Sequence, residues 1–567
     1  MPKRFPSSDV SRRGFLGVAG AVVPALRADA GGPAAQGELG PLGAPQRRAQ
    51  AYQVRLAAAR LQKNLPLPEQ INNGDELLYW NRIGNFSKGL PHNRLGDVDL
   101  NAYQLLLQAL SSGQPSDFEN IPMGFPDPAR RLKLVNPQAG LAFDLEGADS
   151  HHLAQPPAPA FASAETAGEM VELYWQALAR DVPFTEYGET RLAQAAAADL
   201  SRLSDFRGPK LDGRVVSSTL FRGYTAGDLV GPYVSQFLLL PIPYGSQSID
   251  QRMRTTIAGV DYATSYSDWL ALQLGQAPGS ADRYDGVRRY IRNGRDLATW
   301  VHFDVLFQAY FNACLILLAP PDPTDTAGGG GIGAPLSPTN PYNMSRNQVG
   351  FGTLGAPYIS TLVAEVATRA LKSVWFQKWY VHRRLRPEAY AGRVHNLMID
   401  ARLNYPINGD ALNASAINEV FARFGSYLLP QAYPEGCPPH PAYGAGHATV
   451  AGACVTVLKA LFDESFVIPN PVVPASDGLS LRPYTGPDAG RLTLGGELNK
   501  LASNIALGRN IAGIHWRSDY VRSLQLGEAV ATCVLLDQAQ TFNEDLPGFR
   551  FTAFDGRSVV IGRPQPE

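Results

Sequence analysis

Apolar residues recur every three or four positions along most of the chain beyond residue 48, the period of helices that bury one face. The spacing predicts helices over 48–63, 101–110, 164–179, 189–203, 228–240, 261–274 and 297–319. Further helices are predicted over 359–380, 414–424, 447–462, 498–510 and 520–542. Alternation with a period of two is scarce, and 549–562, with Asp555-Gly556 at a turn position, reads as a single hairpin. No internal repeat is visible. Many helices with so little sheet imply an all-α bundle architecture with long loops and a minor C-terminal hairpin, and such bundles hold ligand sites between facing helices.

Two stretches interrupt the helical pattern. Residues 328–331 are glycines inside a segment rich in Pro, Thr and Asn, which predicts a mobile loop or lid. Residues 468–492 form a second Pro- and Gly-rich connection, and loops of that length often serve function, so each is a candidate border of a site entrance.

The N-terminus follows a different logic. Ser11-Arg12-Arg13-Gly14-Phe15-Leu16 is a twin-arginine pattern, followed by an apolar run over 15–26 and a small-residue site at Ala28-Asp29-Ala30. Residues 1–30 therefore read as a bacterial twin-arginine export signal and 31–45 as a Gly/Pro/Ala linker, leaving 46–567 as one large helical domain. The expected location is periplasmic or secreted.

Composition narrows the classes. The chain has 567 residues, 45% hydrophobic and 18% charged, as expected of a folded globular body. A formal net charge of −1 gives no reason to expect nucleic acid or an anionic membrane surface as partner. Cys314, Cys437, Cys454 and Cys533 lie too far apart for a disulfide framework or a zinc pattern. In apolar helical contexts Cys314, Cys454 and Cys533 read as buried free thiols. The most apolar long stretch, 301–319, is interrupted by His302, Asp304, Gln308 and Asn312, so it reads as a core helix and not a membrane span.

Chemistry concentrates late in the chain, where five of the nine histidines fall between His382 and His515. The first stretch runs from Lys378-Trp379 to Arg386-Pro387. Its proline biases Arg386 out of the helical region, so Lys378 near a helix end and Arg386 on the departing segment can approach one point from two sides. Arginine offers a planar fork of donors and lysine a point charge, a pair suited to an oxyanion. Arg383 and Arg384 fit a cationic helix end and are left without a role.

The second stretch, His440-Pro441-Ala442-Tyr443-Gly444-Ala445-Gly446-His447, is a Gly-rich turn entering an apolar helix. Such a helix start presents free backbone N–H groups to an anion, Gly446 allows close approach, and His447 is placed for proton transfer. In the third stretch Arg509 can donate to the same anion and His515 can coordinate through a ring nitrogen. Asp519, four residues on, can fix the tautomer of that ring. A divalent cation is a poor occupant, because Lys378, Arg386 and Arg509 would repel it.

Together these stretches resemble the vanadium-dependent haloperoxidases, which share their site with the type 2 phosphatidic acid phosphatase superfamily, and in particular the algal bromoperoxidase branch and its bacterial relatives. The resemblance rests on a lysine eight residues before the Arg-Pro arginine, a His-Pro-x-Tyr run before Gly-His, and Gly-Arg six residues before the ligand histidine. Weaker similarity at Asn73-Gly74-Asp75-Glu76, Lys88-Gly89-Leu90-Pro91-His92 and Phe554-Asp555-Gly556 extends it over most of the mature chain.

The resemblance implies a body of two four-helix-bundle-like units with the site-bearing core at about 356–545. It implies vanadate bonded to His515 and held by Lys378, Arg386, Arg509 and the Gly446 amide, with His447 as acid/base. His440 matches an outer histidine of the algal branch, and Trp375 stands near the halide approach. The implied activity is oxidation of halide, bromide foremost, by hydrogen peroxide to hypohalous acid, which halogenates a small organic acceptor. Homo-oligomerisation is left open. One position departs from the pattern: Ala445 stands where the family usually has serine, which should cost roughly 1.5–3 kcal/mol of anion binding.

Two rival readings remain at this stage. A phosphatase of the same superfamily would use His515 as nucleophile and His447 as proton donor. Against it stand the longer Lys-to-Arg spacing, Gly508 where those phosphatases favour serine, and His440. A non-catalytic periplasmic oxyanion-binding protein would use the same cations but has no need of His447.

Overall fold

Many of the helices begin at a capping side chain. In the computed structural model, which describes residues 43–321 and 330–562, Asp99, Ser163, Thr190, Ser265, Asn293 and Thr493 each accept a first-turn amide through the side chain. Gly113 and Gly425 end helices in the left-handed region. The twin-arginine pattern, the linker up to residue 42 and Gly328 and Gly329 of the expected lid lie outside the described residues.

The chain divides into two units, Met1–Ala57 and Ala58–Glu567. In the first, the described residues form most of α1 (Ala44–Lys63). The second carries α2 (Leu100–Ser112), α3 (Ala164–Leu178), α4 (Arg191–Arg202), α5 (Tyr266–Gln273), α6 (Gly294–Phe303) and α7 (Gln308–Leu318). It continues with α8 (Ala356–Phe376), α9 (Pro387–Ile399), α10 (Ser415–Phe424), α11 (Gly446–Leu461), α12 (Leu494–Ile511) and α13 (Arg517–Gln538).

One helical group, α8, α11, α12 and α13, closes around Val366, Ala370, Ala451, Val455, Leu501, Ile505, Val530 and Val534, all buried. Its tightest contact is α11 on α13. A Cβ on Gly452 would collide with the Leu524 carbonyl, and one on Gly527 with the Thr449 carbonyl, so each helix uses a glycine to let the other's backbone in. A second group, α3, α4, α9 and α10, packs around Tyr174, Trp175, Leu200, Val394 and Val420. Burying apolar side chains of this size stabilises by about 1.5–3 kcal/mol each.

Several expectations need correction. Residues 228–240 form no long helix; among them only Gln236–Leu238 makes a short tight turn, because Gly231-Pro232 and the following Pro241 break the backbone pattern. The helix expected over 297–319 is two, α6 and α7, bent by 98° about an extended Asp304. The helix expected over 359–380 widens into a π-helical turn, Gln377–His382, and ends at Arg383 with φ +42°. That expected over 261–274 shortens to α5, and α9 was not anticipated.

Among the described residues sheet is confined to small antiparallel hairpins. Besides the expected one, β7 (Phe549–Thr552) with β8 (Ser558–Ile561), three more occur. They are β1 (Ile242–Tyr244) with β2 (Gln247–Ile249), β3 (Met253–Thr256) with β4 (Tyr284–Arg289), and β5 (Val472–Pro474) with β6 (Leu481–Pro483). The last lies in the 468–492 connection. That connection is tied to Gln236 and Arg289, and none of its hydrogen bonds reaches the site residues among the described residues. No single helix among the described residues is long and apolar enough to cross a membrane. All four cysteines are free; Cys533 is only half-buried, the other three fully.

Candidate active site

The three chemical stretches meet. Lys378 sits in the widened turn after α8, a local geometry that re-aims side chains at functional positions. Arg386 is the residue before α9, extended at φ −82° and ψ 153° as its proline requires. Between them His440 Nδ1 lies 2.9 Å from both Lys378 Nζ and Arg386 Nη2. Arg386 Nη1 reaches His515 Nε2 at 2.9 Å and donates to the Ile514 carbonyl at 2.8 Å, while its Nε donates to the His440 carbonyl at 2.8 Å. Arg509, in the last turn of α12, donates to the Val301 carbonyl at 2.8 Å and stands over the Tyr433 ring at 5.4 Å.

The electrostatics are those of an anion site. Lys378 and Arg386 are 0% and 1% exposed and Arg509 9%. No ion pair among the described residues joins any of the three to a carboxylate, and Arg509 Nε has no partner at all. Burial pushes the Lys378 ammonium well below its usual range, and Arg386 and Arg509 push the same way. Arg386 is lowered to about 10, chiefly by burial. His440 and His515 are driven far down by burial and then by the same cations, so both rings are neutral at neutral pH. Unpaired buried charge is costly, and a multiply charged oxyanion at this point would relieve it. Among the described residues no group of three His, Cys, Asp or Glu could hold a metal cation.

His515 is oriented for ligation. Its Nδ1 lies 2.9 Å from Asp519 Oδ2, which also accepts the Trp516 amide at 3.0 Å, so Nε2 is the nitrogen left with a lone pair. Asp519 is fully buried, and its other oxygen accepts from Arg384 at 3.1 Å. Arg384 reaches on to Glu169 at 2.9 Å, and Arg383 pairs with Glu76 at 2.7 Å. Arg384 therefore balances carboxylates, while Arg383 pairs with Glu76 and also donates to the Trp379 carbonyl at 3.1 Å in the last helical turn. Two of the weaker motifs have the same bracing role: Glu76 holds Arg383, and Lys88 holds Glu388 at 2.9 Å in the first turn of α9.

At the opposite side α11 begins at Gly446, whose first-turn amides have no helical carbonyl to donate to. A Cβ on Gly446 would stand 3.1 Å from the Trp375 ring. Trp375 lies 5.0 Å from the His440 ring and 4.7 Å from Lys378 Nζ, so it is a wall of the site. His447 Nε2 lies 2.9 Å from Asp304 Oδ1. Ala445 offers no side-chain cap, and its amide donates instead to Ser523 Oγ at 2.8 Å.

All ten residues singled out from the sequence, Lys378, Arg386, His440, Ala445, Gly446, His447, Arg509, His515, Asp519 and Trp375, thus belong to one locality. Sequence reasoning missed Asp304, Arg384, Glu169, Tyr433 and Ser523. Of these Asp304 left a trace as a charge inside an apolar run, and Arg384 one as a cation at a helix end.

Comparison with known proteins gives the same grouping. A model of the second helical-bundle domain of the VCPO family matches residues 362–544. A vanadium-dependent bromoperoxidase of Corallina pilulifera is 36% identical over 605 residues, covering 91% of this chain and 99% of the relative. One from Ascophyllum nodosum is 36% identical over 537 residues, covering 91% and 92%. The chain belongs to the vanadium-dependent bromoperoxidase family. The second vanadate-dependent bromoperoxidase of Ascophyllum nodosum, solved as a homohexamer, superposes with a TM-score of 0.85 at 30% identity, covering 95% of this chain and 94% of that one. The mostly helical build is therefore that of the bromoperoxidase family.

Proposed function

We propose that the protein oxidises halide, bromide foremost, with hydrogen peroxide to hypohalous acid, which halogenates small organic acceptors. The observation that carries this is the set of three buried basic side chains, Lys378, Arg386 and Arg509, none ion-paired to a carboxylate among the described residues, gathered around two neutral imidazoles. Vanadate fits that set: His515 Nε2 would ligate it, and Arg386, Arg509, Lys378 and the Gly446 amide would hold its oxygens. When bound it supplies a Lewis acid that takes up and polarises peroxide.

The chain's own groups do the rest. Arg386 and Arg509 supply fixed donors toward developing negative charge, at no reorganisation cost during reaction. His440, kept neutral, accepts from Lys378 and Arg386 and holds both heads in place. Asp304 accepts from His447 Nε2, which leaves Nδ1 to take a proton from peroxide and return it to a departing oxygen. An oxyanion-binding protein has no use for that pair, and the bromoperoxidase relatives do not favour the phosphatase reading.

The twin-arginine pattern supports export of the folded enzyme to the periplasm or beyond. The homohexameric relative supports assembly into a homo-oligomer. The test is bromination of monochlorodimedone after reconstitution with vanadate, measured beside phosphatase activity. Dependence on vanadate, peroxide and bromide together is expected. Phosphate-ester hydrolysis without any bromination would overturn the proposal.

A further inference from the structure

Arg384 is bonded to all three chemical stretches. By sequence it belongs to the first, between Lys378 and Arg386. Its carbonyl accepts the Ala442 amide at 3.0 Å, which ties the second stretch to it. Its guanidinium holds the third: Nη1 donates to Asp519 Oδ1 at 3.1 Å and to Ser518 Oγ at 2.7 Å, both in the first turn of α13. Nη2 donates to Glu169 Oε2 of α3 at 2.9 Å, and the guanidinium lies 4.6 Å from the Trp516 ring. The backbone on either side is fixed as well, since Leu385 donates to the Gly84 carbonyl at 3.2 Å and Phe86 to the Arg383 carbonyl at 2.8 Å. Among the described residues no hydrogen bond joins the Arg384 side chain to Lys378, Arg386, Arg509 or the His515 ring, so it acts on the site through Asp519.

Arg384 and Arg386 stand two apart on an extended segment, so their side chains leave on the same face. They take the two sides of one imidazole. Arg386 Nη1 lies 2.9 Å from His515 Nε2, while Arg384 grips the carboxylate that lies 2.9 Å from Nδ1. The oxygens of Asp519 have separate partners: Oδ2 serves His515 and the Trp516 amide, and Oδ1 serves Arg384. A carboxylate pinned at both oxygens cannot turn, and the ring it holds keeps one tautomer and one direction.

We infer that Arg384 is a positioning residue for the vanadate ligand: by locking Asp519 it aims His515 Nε2 at the cluster of Lys378, Arg386 and Arg509. Stability alone does not account for the arrangement. The side chains of Arg384, Glu169 and Asp519 are 2%, 4% and 0% exposed. Such a buried charged triad is often no more stable than apolar residues of the same volume. What the triad supplies is geometry, because a planar fork with one arm on each carboxylate fits in a single way. That fork fixes α13, and with it His515, against α3 and the segment that carries Arg386.

The inference rests on the vanadate-dependent reading, and its test separates the two. Vanadate affinity is read by titration of the full chain without peroxide or halide. Turnover is read as monochlorodimedone bromination at saturating vanadate. Arg384→Lys keeps the charge and loses the fork. Its vanadate affinity should fall by about 10–100-fold, the cost typical of losing an outer partner of a ligand. Turnover at saturating vanadate should fall by much less, because His447 and Asp304 keep their contact. Glu169→Gln leaves the Asp519 arm in place and weakens the other, so its loss of affinity should be smaller. Melting curves show whether each variant folds. A folded Arg384→Lys with wild-type vanadate affinity overturns the inference, and so does a loss of turnover as large as the loss of affinity. Where Arg384→Lys does not fold, Glu169→Gln decides: lowered affinity with turnover kept supports the inference, and wild-type affinity overturns it. A wild-type chain that binds vanadate and brominates nothing overturns the proposed function, while the variant affinities still decide the role of Arg384.

Discussion

His447 Nε2 stands 2.9 Å from Asp304 Oδ1, two residues separated by 143 positions in the chain and joined by the break between α6 and α7. A carboxylate only accepts, so it holds the hydrogen on Nε2 and leaves Nδ1 as the exchanging nitrogen. The same logic operates at His515, where Asp519 takes Nδ1 and leaves Nε2. The two imidazoles are thus oriented by carboxylates at opposite ring nitrogens. One is set up to ligate and the other to move a proton.

That division predicts unlike losses. His515→Ala should abolish vanadate binding in reconstitution titrations, because the other imidazole at the cation cluster, His440, already has its Nδ1 lone pair engaged by Lys378 and Arg386. His447→Ala should retain vanadate and lose most turnover, of the order of the 10²–10⁴-fold that a positioned acid/base contributes. Asp304→Asn should sit between wild type and His447→Ala in turnover, with vanadate affinity unchanged. Equal loss of vanadium from the His515 and His447 variants would remove the distinction between ligand and proton carrier.

The helical period located most of the long helices, and the three stretches located the cluster of buried basic residues and histidines, because both are local signals. What failed was non-local or depended on breaks. Residues 228–240 have apolar residues enough for a helix, yet Gly231-Pro232 decides otherwise. The bend at Asp304 carries no proline or glycine, and its use becomes visible only when His447 is beside it. Arg384 looked like one more cation at a helix end. Its partners, Asp519 and Glu169, lie 135 and 215 residues away in sequence, beyond any pattern of spacing. Short hairpins such as β1 with β2 are three residues a strand, too brief for alternation to register.

Buried histidines predict an acid limit on stability. Burial lowers His382 to about 3, with Arg383 and Arg384 adding to it, and lowers His92 to about 3 with help from Arg393. Unfolded, each titrates near 6.5, so below that value the unfolded state binds protons that the folded state refuses. Stability should therefore fall as pH drops from about 6.5 toward 3, each ring contributing up to about 1.4 kcal/mol per pH unit. His382 is the cleaner test, since neither ring nitrogen has a partner and the ring meets Tyr443 edge-on at 4.7 Å. His382→Phe keeps the ring shape and removes the titration. Urea unfolding near pH 4.5 and near pH 8 should show a smaller loss in the variant. An unchanged pH slope would mean that the ring finds a proton acceptor in solution.

Ala445 is the remaining departure from the family pattern, and the structure gives it a physical setting. It is the N-cap of α11 and supplies no side-chain acceptor, so the helix that points its amides at the anion starts uncapped. The nearest hydroxyl, Ser523 Oγ, is engaged by the Ala445 amide and lies 3.3 Å from Gln155 Nε2. A serine at 445 would accept from the first-turn amides, a cap worth about 1 kcal/mol to stability. Its own hydrogen would then be free to donate toward the anion beside the Gly446 amide. Ala445→Ser should therefore raise the melting temperature and tighten vanadate binding together. A gain of about 1.4 kcal/mol in the charged hydrogen bond is tenfold in affinity, well within the reach of a reconstitution titration. Phosphate, with the same shape and charge, should compete more strongly in the variant as well. A serine variant that is stabilised but binds vanadate no better would mean that the hydroxyl caps the helix and turns away from the anion. In that case Ser523 and the three cations already complete the pocket, and the family's serine has no vacant place to fill here.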